Sequence, residues 1–276
     1  MSRKKDRMED ELRCRRAAFD EFYHNIYADR WQTLKEAMLE EKENITYSHN
    51  LLKPYFLDEA SVLTASLLPL EDNYSVLDMC AAPGGKTLVI ASRLDGRGTI
   101  TANDRSRQRK VRLDNVLDEH LDEKLRSCVR TTCHDASRWG LYEKDAYDAV
   151  LLDAPCSSER HVMESREHMA MWSANRPKRL AIEQYSLLAS AFMAVKDGGY
   201  ILYSTCSINR GEDEEVIEKL FRKKAGLVEE IDVQVPFAEK RAHGSIILPD
   251  VSDGKGPMYF CLLRKTGNEQ SCDSQM

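Results

Sequence analysis

No apolar run in the sequence approaches the length of a membrane span, so no membrane-crossing helix is expected. No apolar signal segment opens it. The first residues read MSRKKDRMEDELRCRR, and Asp6, Glu9, Asp10 and Glu11 run against an acid-poor mitochondrial transit peptide. Positive charge is not in excess: 40 Lys and Arg stand against 46 Asp and Glu, a net of −6, which does not suggest a nucleic-acid binder. The eight cysteines lack the spacing of a disulfide framework and suit reduced thiols in a cytoplasmic location. Internal repeats and low-complexity blocks are missing, and 276 residues suffice for one large domain with a modest extension.

What is present changes character along the chain. Over residues 5–42, Phe19, Phe22, Tyr23, Ile26, Trp31, Leu34 and Met38 recur near helical spacing, so 1–46 reads as a helical N-terminal extension. Residues 43–70 are mixed, with Pro54 and Pro69 as breakers. From Ser75 the short apolar runs SVLDM, GTITAN, SCVRTT, YDAVLLD and GGYILYST alternate with helical stretches. That alternation predicts an α/β fold of βαβ units around a buried parallel sheet. Gly198 and Gly199 read as the helix stop before a strand at 200–205, and GPMYFCLLRK at 256–265 as a late strand at or near a sheet edge. The domain so defined covers 47–265, and the polar stretch 266–276 is expected to be a disordered tail.

VLDMCAAPGGKT, Val76 to Thr87, reads as a strand, a tight Gly-rich turn and a helix. Gly84 and Gly85 allow a ligand to approach the backbone closely. The stretch is neither GxGxxG nor GxxxxGK[ST], so a phosphate cradle is not expected despite Gly-Lys-Thr. Later strands end at TAND with Asp104, at TTCHDAS with Asp135 and at LLD with Asp153. One acid alone would be a helix cap or a solvated loop residue. Acids at successive strand ends behind a Gly-rich turn point to a nucleoside cofactor, since ligands of open α/β sheets sit beyond the carboxyl ends of the strands. Without a second phosphate signature, S-adenosyl-L-methionine fits better than a dinucleotide.

Two cysteines follow strand ends on the same rim. Cys156 lies in VLLDAPCSSERH behind Pro155, which stiffens its turn, and Cys206 lies in YSTCSINRGEDEEVI. Neither fits a CxxC spacing or has a histidine at zinc-ligand spacing, so no metal site is expected. Cys14, Cys80, Cys128, Cys133, Cys261 and Cys272 are read as packing residues. Against the acidic total, DRSRQRKVR at 104–112, RCRR at 13–16 and NRPKR at 175–179 are local basic clusters, either solvated helix faces or the walls of a basic groove.

LDMCAAPGGKT, LDAPCS and YSTCSINRGEDEEVI together resemble the signature set of the RNA cytosine-C5 methyltransferases, the Fmu/Nop/Sun family, over 47–265. WGLYEKDAYDAVLLDAPCSSERH and ILPDVSDGKGPMYFCLLRK resemble most closely the branch of the mitochondrial small-subunit rRNA enzyme. The resemblance implies a Rossmann-like class I methyltransferase, a mostly parallel seven-stranded sheet with helices on both faces. It implies that Cys206 is the nucleophile, that Cys156 assists release and that Asp153 hydrogen-bonds the cytosine ring. By the same resemblance Cys80, Ala81, Ala82, Pro83, Gly84, Gly85, Lys86 and Thr87 hold the methionine end of S-adenosyl-L-methionine. Asp104 takes the ribose, Arg109 sits beside the cofactor, and Asp135 with Ala136 meets the adenine. RNA is the implied partner, rRNA ahead of tRNA, with a protein partner for RNA targeting open and a non-catalytic assembly factor as the alternative from another class. The sequence departs from the family where Asp213 stands in place of an asparagine; a short polar helix-start residue is kept there and a charge added. It shows no long N-terminal RNA-binding domain and no added C-terminal module.

Overall fold

In the computed structural model, residues 2–267 are described. The chain runs α1 (Ser2–Tyr27), a 3-10 turn (Ala28–Arg30), α2 (Trp31–Leu39), β1 (Ile45–Tyr47), β2 (Tyr55–Leu57) and α3 (Glu59–Ser66). The alternating part follows: β3 (Ser75–Asp78), α4 (Gly85–Leu94), β4 (Thr99–Asn103), α5 (Arg107–His120), α6 (Glu123–Ser127), β5 (Val129–Thr132), a 3-10 segment (Ala136–Leu141) and β6 (Tyr147–Asp153). Then come α7 (Glu159–Glu164), α8 (Arg166–Met171), α9 (Arg176–Ala194), β7 (Val195–Thr205), α10 (Glu214–Lys223), β8 (Val228–Ile231), β9 (Ala238–Lys240), β10 (Ser245–Ile247) and β11 (Met258–Lys265).

The main sheet has nine strands in the order β5-β4-β3-β6-β7-β11-β10-β9, with β8 also paired to β11. β5, β4, β3, β6 and β7 are parallel, while β11 is antiparallel to β7, β8 and β10. The seven strands implied by the resemblance become nine because β11 is flanked along its outer side by two pieces. β8 pairs with its C-terminal half, and β10, hairpinned to β9, with its N-terminal end. β11 is therefore covered on both sides, one strand in from the edge strand β8, near the edge as expected for 256–265. Gly198 and Gly199 do not stop the helix; α9 ends at Ala194 and β7 runs through the glycines. A register shift between β6 and β7 falls where Gly198 adopts φ +80°.

Side-chain alternation builds the layers. Val76, Ala149, Leu151, Leu202, Phe260 and Leu262 face a core shared with α3 to α6. Leu77, Val150, Leu152, Ile201, Tyr203, Tyr259 and Leu263 face the opposite core, shared with α9 and α10. The N-terminal helices join that second core. Trp31, Leu34 and Met38, at i, i+3 and i+7 on α2, are buried, each fully buried side chain contributing about 1.5–3 kcal/mol. Phe19 meets Trp172 edge-on at 5.2 Å, and Tyr23 stacks on Trp31 at 5.2 Å. The boundary drawn at 46/47 falls within β1. The stretch of the polar tail from 268 on, Cys272 included, lies outside the described residues.

Candidate active site

The parallel strands end on one rim, and the turn after β3 shapes its first wall. Gly84 caps α4 at φ +123°, and a Cβ there would stand 3.1 Å from Val116 and 3.2 Å from Leu113. Gly85 lies so close to Tyr55 that a Cβ would meet its ring at 3.0 Å. Glycine at both positions thus accommodates the protein itself, letting α4 start directly behind the turn. Cys80, Ala81, Ala82, Pro83, Gly85 and Lys86 border a cleft of about 120 Å³, with Asp78 and Asp153 at its floor. Gly84 faces α5, and Thr87 turns inward, donating to Asp78 Oδ2 at 2.7 Å.

A second cavity, about 260 Å³, continues from Cys80 past Asp104, Arg109, Asp135 and Ala136 to Pro155 and α9. Asp104 is 2% exposed; Oδ1 accepts from Ser106 N at 2.9 Å, while the buried Oδ2 has no hydrogen-bond partner and lies 3.3 Å from Arg109 Nη1. Arg109 also donates to the Ala82 carbonyl at 2.5 Å, tying α5 to the turn. Asp135 caps the 3-10 segment by accepting from Ser137 N at 3.0 Å, and its hydrogen bonds with Ser137 hold it below the usual carboxylate range. Asp135 is thus both a cap and a cavity residue. Asp78, not singled out by the sequence reading, is fully buried with Oδ1 unpartnered, and burial pushes it up to about 7 against the Thr87 hydrogen bond. Its signal was available: it is the acid of the quoted LDMC strand end.

Asp153 joins the cofactor side of the rim to the cysteine side. Oδ2 accepts from Lys86 Nζ at 2.7 Å and Oδ1 from Ser204 Oγ at 2.8 Å. Burial pushes the Lys86 ammonium down, but the charge and hydrogen bond of Asp153, with Cys206 and Asp78, outweigh it and the net direction is up. Lys86 therefore stays a cation beside Asp153.

The structure brings the two cysteines together. Cys156 and Cys206, both half-buried, sit beyond adjacent strands β6 and β7 with their sulfurs 3.0 Å apart. Ser158, in the left-handed region at φ 54°, places its Oγ 3.3 Å from the Cys206 sulfur and 3.5 Å from that of Cys156. The hydrogen bond from Cys156, helped by that from Ser158, pulls the Cys206 thiol down against burial and the charge of Asp153. The same bond, followed by burial and neighbouring charges, pushes Cys156 up. The pair is thus polarised, with Cys206 the readier to give up its proton and Cys156 the donor. Cys80 forms part of the cleft wall, and burial raises its thiol. Among the other described cysteines, Cys261 is buried, Cys128 and Cys133 are half-buried and Cys14 is exposed, which corrects the packing role expected for Cys14.

Asp213 stands at the N-cap of α10 without capping it; its buried side chain accepts from Thr205 Oγ1 at 2.6 Å instead. The basic clusters are partly spent on the protein. Arg105 pairs with Glu183, Lys110 with Asp114 at 2.8 Å, and Arg13 with Asp10 at 3.1 Å. Arg107 and Arg112 on α5, and Lys178 and Arg179 at the start of α9, are exposed. Arg15 donates to the Trp172 carbonyl at 2.8 Å, which brings the 13–16 cluster beside the start of α9.

A family model described as 16S rRNA methyltransferase RsmB/F matches residues 65–264. The chain is 35% identical over 236 residues to the mouse (Mus musculus) 5-cytosine rRNA methyltransferase NSUN4, covering 79% of this chain and 61% of that protein. It is 33% identical over 235 residues to a mitochondrial tRNA (cytosine(34)-C(5))-methyltransferase of Danio rerio, covering 80% and 64%. Ribosomal RNA small subunit methyltransferase F of Salmonella agona (strain SL483) is 35% identical over 218 residues, covering 76% and 44%. The chain thus spans about three-fifths of the animal relatives' length and under half of the bacterial one's. In fold it resembles a methyltransferase homolog protein from Pyrococcus horikoshii, at TM-score 0.73 and 19% identity over 94% of this chain and 99% of that one. NSun6 from the same organism, solved with SFG, gives TM-score 0.68 and 23% identity over 80% and 55%. The match over most of its length, on the strands and loops that build this rim, makes the chain a member of the RsmB/F methyltransferase family.

Proposed function

We propose that this protein methylates C5 of a cytosine in RNA, rRNA being the favoured target, with S-adenosyl-L-methionine as methyl donor. The observation that carries the reading is the polarised Cys156–Cys206 pair beside the Lys86–Asp153 ion pair, at the junction of the two clefts. The names of the mouse and bacterial relatives support rRNA. That of the zebrafish relative, nearly as similar, supports tRNA as the second reading.

The residues fit the donor. Asp104 Oδ2, ion-paired with Arg109 but without a hydrogen bond, suits a ribose hydroxyl, Asp78 Oδ1, also without one, suits an ammonium, and Asp135 with Ala136 borders the far end of the cavity. The turn from Cys80 to Lys86 would hold the methionine end, and Gly84 and Thr87 support that turn from behind. Arg109, fixed on Ala82 and Asp104, keeps turn and ribose site in register. When bound, the donor supplies an electrophilic methyl group.

Cytosine C5 is a weak nucleophile. Addition of the Cys206 thiolate at C6 forms an S–C bond and makes C5 enamine-like, a covalent route that divides one hard step into easier ones. Asp153, held by Lys86 and Ser204, retains lone pairs for the N3 edge of the ring and stabilises the protonated adduct. Once C5 carries the methyl group, a base must take its proton, so that the C5–H electrons re-form the C5=C6 double bond and the S–C bond breaks, returning its electron pair to Cys206. Cys156, 3.0 Å away, is placed to assist that release. The base must leave any stack to reach the rim. Labelled methyl transfer into separated rRNA and tRNA tests the target. Label in rRNA is expected; label confined to tRNA selects the second reading, and no label in either removes the function.

A further inference from the structure

Behind the two cysteines lies a pair of buried carboxyls that the reaction itself does not use. Glu159 and Glu212 are both 0% exposed, and among the described residues neither is in an ion pair. Each grips the loop of the opposite cysteine. Glu212 Oε2 accepts from the Ser157 backbone N–H at 2.9 Å, next to Cys156. Glu159 Oε2 accepts from the Ile208 N–H at 3.1 Å, just past Cys206. Gln184 adds a tie, donating to both Glu212 Oε2 and the Pro155 carbonyl at 2.9 Å.

The hydrogens do not suffice for two carboxylates. Ser157 Oγ lies 2.5 Å from Glu212 Oε1, is also hydrogen-bonded to Glu159 Oε1, and stands 3.1 Å from Ser207 Oγ. A serine hydroxyl has one hydrogen, so it can donate to one of these carboxyls; the other oxygen contact is repulsive unless that carboxyl brings its own proton. Tyr23 already donates to Glu159 Oε1 at 2.5 Å, and the Ile208 N–H serves its other oxygen. Glu212 Oε2 is served by the Ser157 and Gln184 N–H groups, so the shortage lies between the two Oε1 atoms around Ser157, and the upward shift of Glu212 assigns the extra proton to it.

We propose that Glu159 and Glu212 share a single proton through Ser157 and act as a positioning pair that holds the two cysteine loops at their reactive spacing. This rests on the reading of Cys206 and Cys156 given above. Burial, followed by the charge of Glu159, pushes Glu212 up to about 7, so the proton sits on the edge of loss at neutral pH. Among the described residues, the surroundings do not supply a compensating cation at contact distance. Asp213 and Tyr203 face Glu212 from α10 and β7, Tyr23 faces Glu159 from α1, and both cysteines lie on the loops they hold; Arg241 acts on Asp213 and Tyr27. A second negative charge there repels Glu159, loosens the cross-tie and disfavours the Cys206 thiolate.

The test uses the full chain without RNA or methyl donor, so that it stands apart from methyl transfer. Infrared difference spectra of wild type and Glu212→Gln, taken across neutral pH, report the protonated carboxyl directly. In parallel, mass spectrometry follows the rate of Cys206 alkylation by iodoacetamide. Wild type is expected to show a carboxylic-acid band that fades through about pH 7, part of it from Asp78, and the Glu212 component is the part lost in Glu212→Gln. Cys206 alkylation above that pH is expected to be roughly three- to tenfold faster in Glu212→Gln, whose amide donates to Ser157 at every pH. A wild-type spectrum without that band, a band unchanged in Glu212→Gln, or matching alkylation profiles overturns the proposal. Loss of methyl transfer with these readouts as expected would count against the proposed reaction and leave the pair intact.

Discussion

On the β3–β4 side of the rim, Asp78 and Asp104 each keep one buried oxygen without a hydrogen-bond partner, whereas beyond β6 and β7 Glu159 and Glu212 are ringed by donors from both cysteine loops. A buried polar oxygen left unpaired costs about 1–3 kcal/mol. At Asp104 the Arg109 ion pair offsets part of that cost, and at both positions a ligand would bring the missing hydrogen. On the cysteine side the polar groups are consumed by the protein, and they buy geometry: two sulfurs at a fixed separation. In the reading proposed above, the same residue types serve binding on one half and rigidity on the other. Substitutions should cost ligand affinity on the first and stability or reactivity on the second.

The sharpest separation is in pH. Glu212 has its folded value raised from 4.5 to about 7, so its protonation favours the native state. That contribution is complete below about pH 4.5 and is lost as pH rises through about 7. Glutamine does not titrate. The unfolding free energy of wild type relative to Glu212→Gln should therefore fall by about 3 kcal/mol across that window, at about 1.4 kcal/mol per pH unit. Urea titrations at both ends would show it, and a pH-independent difference would place Glu212 with the ordinary acids.

Lys86 belongs to both halves, rooted in α4 and bonded to Asp153. Its side chain is 12% exposed and that of Asp153 is 32% exposed, so solvent screens part of the interaction. Lys86→Met is expected to lower stability by about 2–3 kcal/mol, less than a fully buried pair would show. A loss under about 0.5 kcal/mol would mean that Asp153 does not depend on Lys86.

Asp104→Ala should leave the fold intact and weaken S-adenosyl-L-methionine binding by about 2 kcal/mol, the value of a hydrogen bond to a charged group. Calorimetry with unchanged affinity would remove Asp104 from the cofactor side. The smallest effects are expected outside both halves. Arg107→Ala or Arg112→Ala should each weaken RNA binding by about 1 kcal/mol or less and flatten its salt dependence by about one phosphate contact. A salt slope equal to wild type would leave those arginines as solvated surface.

The parallel half of the sheet was legible because its strands are apolar runs ended by acids, a pattern that depends on local sequence alone. Asp104, Asp135, Asp153 and the Cys80–Lys86 turn could be read for that reason. β8, β9 and β10 were not, because segments such as VEEI and AEK carry no apolar alternation and are defined by pairing with distant strands. Gly198 and Gly199 looked like a helix stop because a left-handed glycine is wanted in either setting; the register shift beside β6 decides it. Asp213 read as a polar helix-start residue, and only the fold turns it inward toward Thr205 and brings the neighbouring Glu212 to Ser157. Tyr23 lies far along the chain from Glu159, and no local pattern joins them.

The central claim is that the paired cysteines have unequal roles, and adduct trapping tests it most directly. Each variant is incubated with RNA and S-adenosyl-L-methionine and run on a denaturing gel. Cys206→Ala is expected to give neither methylation nor a covalent protein–RNA band. Cys156→Ala is expected to attack and methylate but stall at release, so that the joined species accumulates. An adduct in Cys206→Ala and none in Cys156→Ala would reverse the assignment, and methylation unchanged in both would contradict it altogether.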